Sequence, residues 1–525
     1  MRQLTSLDAQ FLRMEDARVY GHVGGLAVYD PSTAPGGRVT IDDVCRLVDE
    51  RLHLLPVFRW RLAEVPLHLD LPYWIEDPDF HLDFHIRESA VPPPGDDDKL
   101  TETVARIFAR PLDRRRPLWE LYLIQGLEGG RIALLTKIHH AAVDGVSGAE
   151  VLSILLDPSP EGRELPPRPD LTGERAPGEL EMLGRGLLGV PRQPLRALRS
   201  LPHTLPNLAE LPGAGAIPGA PTLARATGWV RGLVGAEHAP PDVLEATTAR
   251  PPRTAFNGPI SSHRRLAIGR LSLDRVKAVK NAAGVSVNDV VVCLCASALR
   301  EWLGERDELP DDPLVAMIPV SVRTPEQSGT FGNRVSTMVV PIATDEPDPA
   351  RRLARTHELL RGAKEHHRAL PAELLTDATS FIPPAVMALA ARTTMGVLGR
   401  TRPPLNLVIS NVPGPREPLF CAGARLEAHY PVSAIADGVG LNMTVMSYRD
   451  QLDFGLVGDR DQISDLRPLM AGLGRALDEL EAVAGLSRES AGPPDGSRAG
   501  ARAEARDRTR ARDGEREEAP APRGA

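Results

Sequence analysis

Aromatic residues and cysteines are scarce in this chain of 525 residues. Phe, Trp and Tyr make up 4% of the sequence, so its cores must rely on Val, Leu, Ile and Ala. The four cysteines show no zinc-ligand spacing, and Cys293 and Cys295 lie within an apolar run. This pattern predicts reduced core thiols, a cytoplasmic protein and no metal site.

Several other signals are also missing. The first sixteen residues contain no apolar segment of a secretory signal, and no uninterrupted apolar run is long enough to span a bilayer. No nucleophile elbow occurs between a predicted strand and a helix, which argues against a serine acyl-enzyme. A P-loop and a Rossmann glycine fingerprint are also absent from the strand-to-helix settings that they require. The net charge of −8 gives no support for nucleic-acid binding.

The most informative stretch covers residues 132–145, where an apolar segment typical of a buried strand runs into the pattern HHxxxDG. Alternation along a strand would place His139 and His140 on opposite faces, with one in a reaction channel and the other in packing. Asp144 lies close enough to orient a ring, and Gly145 permits a turn with positive φ. A lone buried histidine is usually a core residue, but a base supplied together with a carboxylate indicates catalysis.

This HHxxxDG pattern resembles the active-site motif of the CoA-dependent acyltransferase superfamily, which includes chloramphenicol acetyltransferase and peptide-synthetase condensation domains. The flanking sequence is similar to that of the bacterial wax ester synthase/diacylglycerol acyltransferase family in Pro117-Leu118-Trp119, the Asn288-Asp289 pair and Asn411-Val412-Pro413-Gly414-Pro415. The resemblance implies a mixed α/β (α+β) fold of two chloramphenicol-acetyltransferase-like lobes, with an active-site channel at their interface.

The same resemblance implies transfer of a long-chain acyl group from acyl-CoA to diacylglycerol or a fatty alcohol. Acyl-CoA is then a substrate, and no cofactor and no nucleic-acid partner are expected. The protein would be cytoplasmic, with peripheral contact at the inner face of the cell membrane or on lipid droplets. Two alternatives remain: a carrier-protein- or CoA-dependent acyltransferase of polyketide or peptide ester synthesis, and a non-catalytic lipid-droplet-binding relative. The Pro-Leu-Trp and Asn411–Pro415 context argues against the first, and the intact His140-Asp144 pair argues against the second.

Roles for individual residues follow from this reading. His140 is predicted to be the general base and His139 to be structural, while Asp144 keeps the pocket in order, by analogy through pairing with Arg323. The tetrahedral oxyanion needs preorganised donors, and the candidates on strands or strand ends of the second half are Ser321, Asn411, Asn442 and Thr444. Asn288 and Asp289 support the site, although Ser286 followed by Asp289 is also typical of a helix capping box.

Composition divides the chain into four segments. Residues 1–158 form an N-terminal acyltransferase lobe with the HHxxxDG motif, and residues 159–253 are a connector rich in Pro, Gly and Arg. Residues 254–487 form a C-terminal lobe, and residues 488–525 are a tail of mixed charge that is expected to be disordered. Within the connector, residues 180–199 could rest on an anionic membrane or lie on the protein itself, and Pro191 and Pro194 interrupt any long helix.

Overall fold

A computed structural model describes residues 1–66, 69–143, 148–168, 177–178, 180–184, 251–321, 335–369, 403 and 405–486. Most of the predicted connector, the predicted tail and an apolar segment at residues 384–400 therefore lie outside the described residues. Within them, strands and helices are built around two six-stranded sheets, which confirms the predicted mixed α/β class. A third sheet has three short strands: β1 (Arg2–Gln3), β3 (Trp60–Ala63) and β4 (Tyr73–Glu76).

The first large sheet carries the histidine pair on one of its central strands. Only the pairing of its last two strands is parallel. In spatial order its strands are β12 (Phe420–Cys421), β13 (Ala424–Val432), β2 (His22–Asp30), β7 (Ile132–His139), β6 (Trp119–Gln125) and β5 (Ile86–Ala90). The apolar run that predicted a buried strand is β7, in which seven of eight residues are buried. That prediction is confirmed.

The second large sheet is formed from the second half of the chain. Its strands in spatial order are β10 (Val335–Ile342), β9 (Leu314–Ser321), β11 (Leu407–Val412), β14 (Leu441–Tyr448), β15 (Gln451–Asp459) and β8 (Arg264–Ser272). Strand β11 runs parallel to both of its neighbours, and the remaining pairs are antiparallel. Strands β14 and β15 form a hairpin around Arg449.

Ten α-helices accompany the sheets in the part of the chain that the structure describes. They are α1 (Ser6–Met14), α2 (Ile41–Arg51), α3 (Leu82–His85), α4 (Asp97–Phe108), α5 (His140–Val143), α6 (Gly148–Leu155), α7 (Leu273–Ala283), α8 (Val287–Gly304), α9 (Pro349–Ala369) and α10 (Arg467–Val483). Capping boxes begin three of them, formed by Thr5 with Asp8, Thr40 with Asp43, and Ser286 with Asp289. Each box satisfies backbone N–H groups that the first helical turn leaves unpaired. The local sequence therefore determines where these three helices begin.

The longest apolar helix, α8, is a core element. Most of its side chains are buried in the cluster that covers the second sheet. No single helix within the described ranges combines the length and apolarity needed to cross a bilayer, whereas α7 and α8, bent by 103°, meet that criterion as a pair.

The two halves of the chain do not divide cleanly between the two sheets. Strands β12 and β13 come from the segment predicted to be the C-terminal lobe, yet β13 pairs with β2 from Arg425↔Asp30 to Val432↔Gly24. Residues 420–432 of the segment predicted to be the C-terminal lobe thus complete the first sheet, and the predicted division of the chain stays a prediction. Strand β13 also packs closely on the second sheet, since a Cβ added to Gly455 would lie 1.8 Å from the Pro431 carbonyl oxygen.

Candidate active site

The two adjacent histidines lie where β7 ends and α5 begins. His139 is the last residue of the strand, where it faces His22 across the ladder, and its side chain is buried. His140 is the first residue of α5 and is partly exposed. The expectation that they occupy opposite faces of one strand is therefore wrong in its geometry, because the backbone changes from strand to helix between them. The two rings are nevertheless held in different surroundings.

His139 is held by the helix that follows it and by a carboxylate from α1's C-terminal end. Its Nδ1 accepts the backbone N–H of Ala141 at 3.1 Å, so the ring proton of the neutral imidazole is on Nε2. That Nε2 lies 3.1 Å from Glu15 Oε1, in a close polar contact whose angle falls short of a regular hydrogen bond. The ring thus bridges α5 and the residue that ends α1.

The Glu15 carboxylate is itself held from three sides. Oε1 accepts the Gly21 N–H at 2.7 Å, and Oε2 accepts from the Arg114 guanidinium at 2.7 Å. Burial alone would raise the pKa of Glu15, but its contacts with His139, Arg114 and Gly21 outweigh burial and lower that pKa to about 2. Glu15 is therefore an ionised, partly buried carboxylate beside the histidine pair.

His140 has a different environment. Its backbone N–H donates to the Gly21 carbonyl oxygen at 2.8 Å, and its ring stacks on Phe11 of α1. Burial, followed by the electrostatic interaction with His139, lowers the pKa of His140, while its own backbone and Asp8 act in the opposite direction. The Nδ1 atom is buried without a hydrogen-bond partner among the described residues, so we take Nε2 as the ring nitrogen that faces a substrate. A neutral imidazole of this kind can accept a proton.

Several predicted site residues cannot be placed. Asp144, Gly145 and Arg323 lie outside the described residues, so the predicted pairing of Asp144 with Arg323 stays a prediction. Ser321 is described only in its backbone, as the last residue of β9.

Asp289 forms the predicted capping box of α8. Its backbone N–H donates to Ser286 Oγ at 3.2 Å, and its Oδ2 accepts the Ser286 N–H at 2.9 Å. The same Oδ2 lies 2.8 Å from His357 Nδ1, and Oδ1 lies 4.0 Å from Lys364 Nζ. The capping explanation is thus confirmed, and the carboxylate additionally joins α8 to α9.

The structure brings Asn288 together with Asn411, whose side-chain N–H donates to Asn288 Oδ1 at 3.4 Å. Asn411 lies near the end of β11, whose ladder with β14 continues to Val412. This long bond leaves Asn411 with donor capacity to spare.

The other two oxyanion candidates on β14 are engaged with each other and with their neighbours. Thr444 Oγ1 donates to Asn442 Oδ1 at 2.7 Å and lies 2.8 Å from Ser433 Oγ. The Asn442 amide donates to the Ala434 carbonyl oxygen at 3.1 Å. Both side chains are buried, so their polar groups mainly satisfy one another.

The second lobe reaches the segment that contacts the histidines. The guanidinium of Arg264, on β8, donates to the Arg18 carbonyl oxygen at 2.6 Å and covers the Tyr20 ring at 5.3 Å. Tyr20 in turn stacks on His22 at a centroid distance of 5.5 Å. Beside this contact, α4, β8 and α10 line a cavity of about 680 Å³, and the ion pair of Arg467 with Asp98, at 2.9 Å, lies at its edge between α10 and α4.

Sequence reasoning missed three residues that contact the histidine pair: Phe11, Glu15 and Gly21. All three precede β7 by a long stretch of chain, and only folding of α1 against α5 brings them together. The sole local signal was the capping box of α1, which predicts a helix without saying what that helix contacts.

Comparison with solved structures identifies the class of protein. The first condensation domain of the calcium-dependent antibiotic synthetase matches with a TM-score of 0.51 at 16% identity, over 92% of this chain and 96% of that chain. A likeness at this identity concerns the fold alone, and it confirms the two-lobed architecture. The chain therefore shares the two-lobed architecture of that domain, with the histidine pair at the end of a central strand.

The family follows from closer relatives. Residues 4–291 match the wax ester synthase/diacylglycerol acyltransferase catalytic domain, and residues 331–481 match the C-terminal domain of the same family. The chain belongs to the wax ester synthase/diacylglycerol acyltransferase family.

Individual relatives cover nearly the whole chain. A protein of Mycobacterium tuberculosis described as a probable diacylglycerol O-acyltransferase is 38% identical over 91% of this chain and 98% of its own length. The solved wax ester synthase/diacylglycerol acyltransferase of Marinobacter aquaeolei VT8 is 32% identical, with a TM-score of 0.64, over 92% of this chain and all of that chain.

Proposed function

We propose that this enzyme transfers a long-chain acyl group from acyl-CoA to the free hydroxyl of a diacylglycerol, which yields triacylglycerol and CoA. Long-chain alcohols are proposed as second acceptors, giving wax esters. Family membership and the similarity to diacylglycerol O-acyltransferases support this assignment. The observation that carries the chemistry is His140, a partly buried imidazole whose pKa is lowered and whose Nδ1 is enclosed.

In the proposed reaction, His140 Nε2 removes the proton of the acceptor hydroxyl as its oxygen attacks the thioester carbonyl carbon. The resulting tetrahedral intermediate carries its negative charge on the former carbonyl oxygen, where a preorganised donor stabilises it. When the intermediate collapses, the carbon–sulfur bond breaks and the imidazolium returns the proton to the CoA sulfur. The base is thereby regenerated, and no cofactor or metal is required.

Among the proposed oxyanion donors, Asn411 is favoured over Asn442 and Thr444. The side chains of Asn442 and Thr444 hydrogen-bond to each other, whereas Asn411 makes one long side-chain bond among the described residues, which leaves donor capacity. Ser321 remains a further candidate. Asp144, with Arg323 as its proposed partner, keeps the pocket in order.

The substrates are lipids, so the enzyme is proposed to work from the cytoplasm while in peripheral contact with the inner membrane face or with lipid droplets. Flotation of purified protein with anionic and neutral vesicles, with and without dioleoylglycerol, measures this contact. Protein that stays at the bottom of every gradient would contradict it.

The experiment that tests the reaction follows release of CoA from palmitoyl-CoA in the presence of dioleoylglycerol, comparing the parent enzyme with His140→Ala. Loss of a general base is expected to lower kcat on the order of 10²- to 10⁴-fold. The exposed His81, which precedes α3, provides the matched control His81→Ala with unchanged turnover. A parent enzyme without CoA release would refute the activity, whereas a fully active His140→Ala variant would refute the base.

A further inference from the structure

We propose that Glu15 is a positioning residue for His140, acting through His139 and through the backbone of Gly21. The inference rests on the proposed function, in which His140 is the base. Glu15 Oε1 contacts both Gly21 and His139, since it accepts the Gly21 N–H at 2.7 Å and lies 3.1 Å from His139 Nε2.

Each intermediary contacts the backbone beside the base. The Gly21 carbonyl oxygen accepts the N–H of His140 at 2.8 Å, and His139 Nδ1 accepts the N–H of Ala141 at 3.1 Å. These are the first two N–H groups of α5, which a helix start otherwise leaves without partners. The imidazole of His139 thus acts as a cap for the short helix that presents the base.

The cap works in only one tautomer. With the proton on Nε2, Nδ1 is an acceptor and can receive the Ala141 N–H. With the proton on Nδ1, two N–H groups would face each other and the cap would be lost. An ionised carboxylate beside Nε2 selects the first tautomer, because it accepts hydrogen bonds and cannot donate one.

The carboxylate is fixed from its other side as well. Arg114 donates to Glu15 Oε2 from both Nε and Nη2, at 3.2 and 2.7 Å, and Nη2 also donates to the Leu12 carbonyl oxygen. Arg114, which follows α4, therefore favours the ionised form of Glu15 and fixes its orientation. Glu15 needs no contact with substrate to affect the rate.

A positioning role affects kcat more than substrate binding, because a misplaced base weakens only the transition state. For Glu15→Ala, kcat is expected to fall by about 100-fold, the cost typical of a small misplacement of a reacting group. Glu15→Gln keeps the shape and one acceptor oxygen but places an amide N–H₂ against Arg114, so a smaller loss of about tenfold is expected. The KM for palmitoyl-CoA should change by less than about twofold in both variants.

A double-mutant cycle tests whether Glu15 acts through His139. Glu15→Ala, His139→Ala and the double variant are compared in the full-length enzyme, with the exposed Glu128→Gln as control and with thermal unfolding of each protein recorded. If the proposal holds, Glu15→Ala lowers kcat clearly less in the His139→Ala background than in the parent enzyme, because only the route through Gly21 then remains. Glu128→Gln should behave as the parent enzyme.

Three results would overturn the inference: losses of kcat that multiply across the cycle, an unchanged kcat in both Glu15 variants, or a raised KM with kcat retained. If Glu15→Ala fails to fold, the effect of Glu15 on kcat can still be measured with the near-isosteric Glu15→Gln variant. Failure of the proposed function is separate, because it shows as an inactive parent enzyme or a fully active His140→Ala variant.

Discussion

The imidazole of His140 stacks on the phenyl ring of Phe11, with ring centroids 4.2 Å apart and planes inclined by 16°. This contact joins the helix at the start of the chain to the short helix that follows β7. It covers one face of the ring, which contributes to the burial that lowers the pKa of His140. An aromatic neighbour thus helps to keep the proposed base neutral and limits its rotation.

Removing that ring should change the pH dependence of the reaction. The parent enzyme is expected to lose activity in acid with a midpoint below about 6.5, the ordinary histidine value, because only neutral His140 accepts a proton. Phe11→Ala exposes the imidazole, so its pKa should rise and the acid limb of kcat/KM should move upward by up to about one pH unit. Phe80→Ala, which removes a ring stacked on His85 instead, is the control. An acid limb that stays in place in Phe11→Ala would contradict this role.

The buried ion pair between Arg51 and Asp157 should dominate the stability of the region after the histidine motif. The guanidinium contacts both carboxylate oxygens, at 2.7 and 2.8 Å, and the backbone of Asp157 exchanges two hydrogen bonds with Phe420. Asp157→Asn leaves a buried charge without its counter-charge and should lower the free energy of unfolding by about 3–5 kcal/mol. Urea denaturation measures the change. Glu50→Gln removes an exposed partner of the same Arg51 and should cost less than about 1 kcal/mol; equal effects of the two variants would refute the prediction.

Close approach of β2 and β7 should make Gly24 intolerant of any side chain. A Cβ at this position would lie 1.9 Å from the Thr136 carbonyl oxygen and 2.7 Å from Phe108 Cζ. Gly24→Ala is therefore expected to lower the free energy of unfolding by at least about 1–3 kcal/mol, the cost of overpacking. Gly474→Ala, in α10 where a Cβ meets nothing within 4 Å, should instead stabilise by up to about 1 kcal/mol. Matching unfolding midpoints for the two variants would argue against this packing.

Acid should destabilise the fold below pH 6.5, well before most carboxylates are protonated. Burial, reinforced by the charge of Lys137, lowers the pKa of His22 to about 3, and burial lowers that of His429 to about 4. Between about pH 6.5 and 4 the unfolded chain binds more protons at these rings than the native protein does, so the free energy of unfolding falls as pH falls. Each ring contributes up to about 1.4 kcal/mol per pH unit.

Urea midpoints at pH 7, 6 and 5 measure this loss. His429→Gln should flatten the dependence, while the exposed His263→Gln should leave it as in the parent enzyme. Glu15 adds a second loss only below about pH 4.5, because its folded pKa of about 2 is depressed and its stabilisation disappears as the carboxylate is protonated. Stability that is unchanged from pH 7 to 5 would contradict the burial of these histidines.

The features determined by the sequence itself are those encoded within a few neighbouring residues. The apolar run before His139 predicted β7, and the Ser286–Asp289 spacing predicted the start of α8. Each depends on periodicity or capping, which act over short stretches of chain. The motif around His140 likewise carried the family resemblance.

What the tertiary structure alone decided is which distant residues meet. The pairing of β13 with β2, the contact of Glu15 with His139 and the stacking of Phe11 on His140 all join segments far apart in the chain. Such contacts arise from packing and desolvation in the folded chain. Packing and desolvation between distant segments produce no periodic pattern in the local sequence, so the sequence does not predict these contacts.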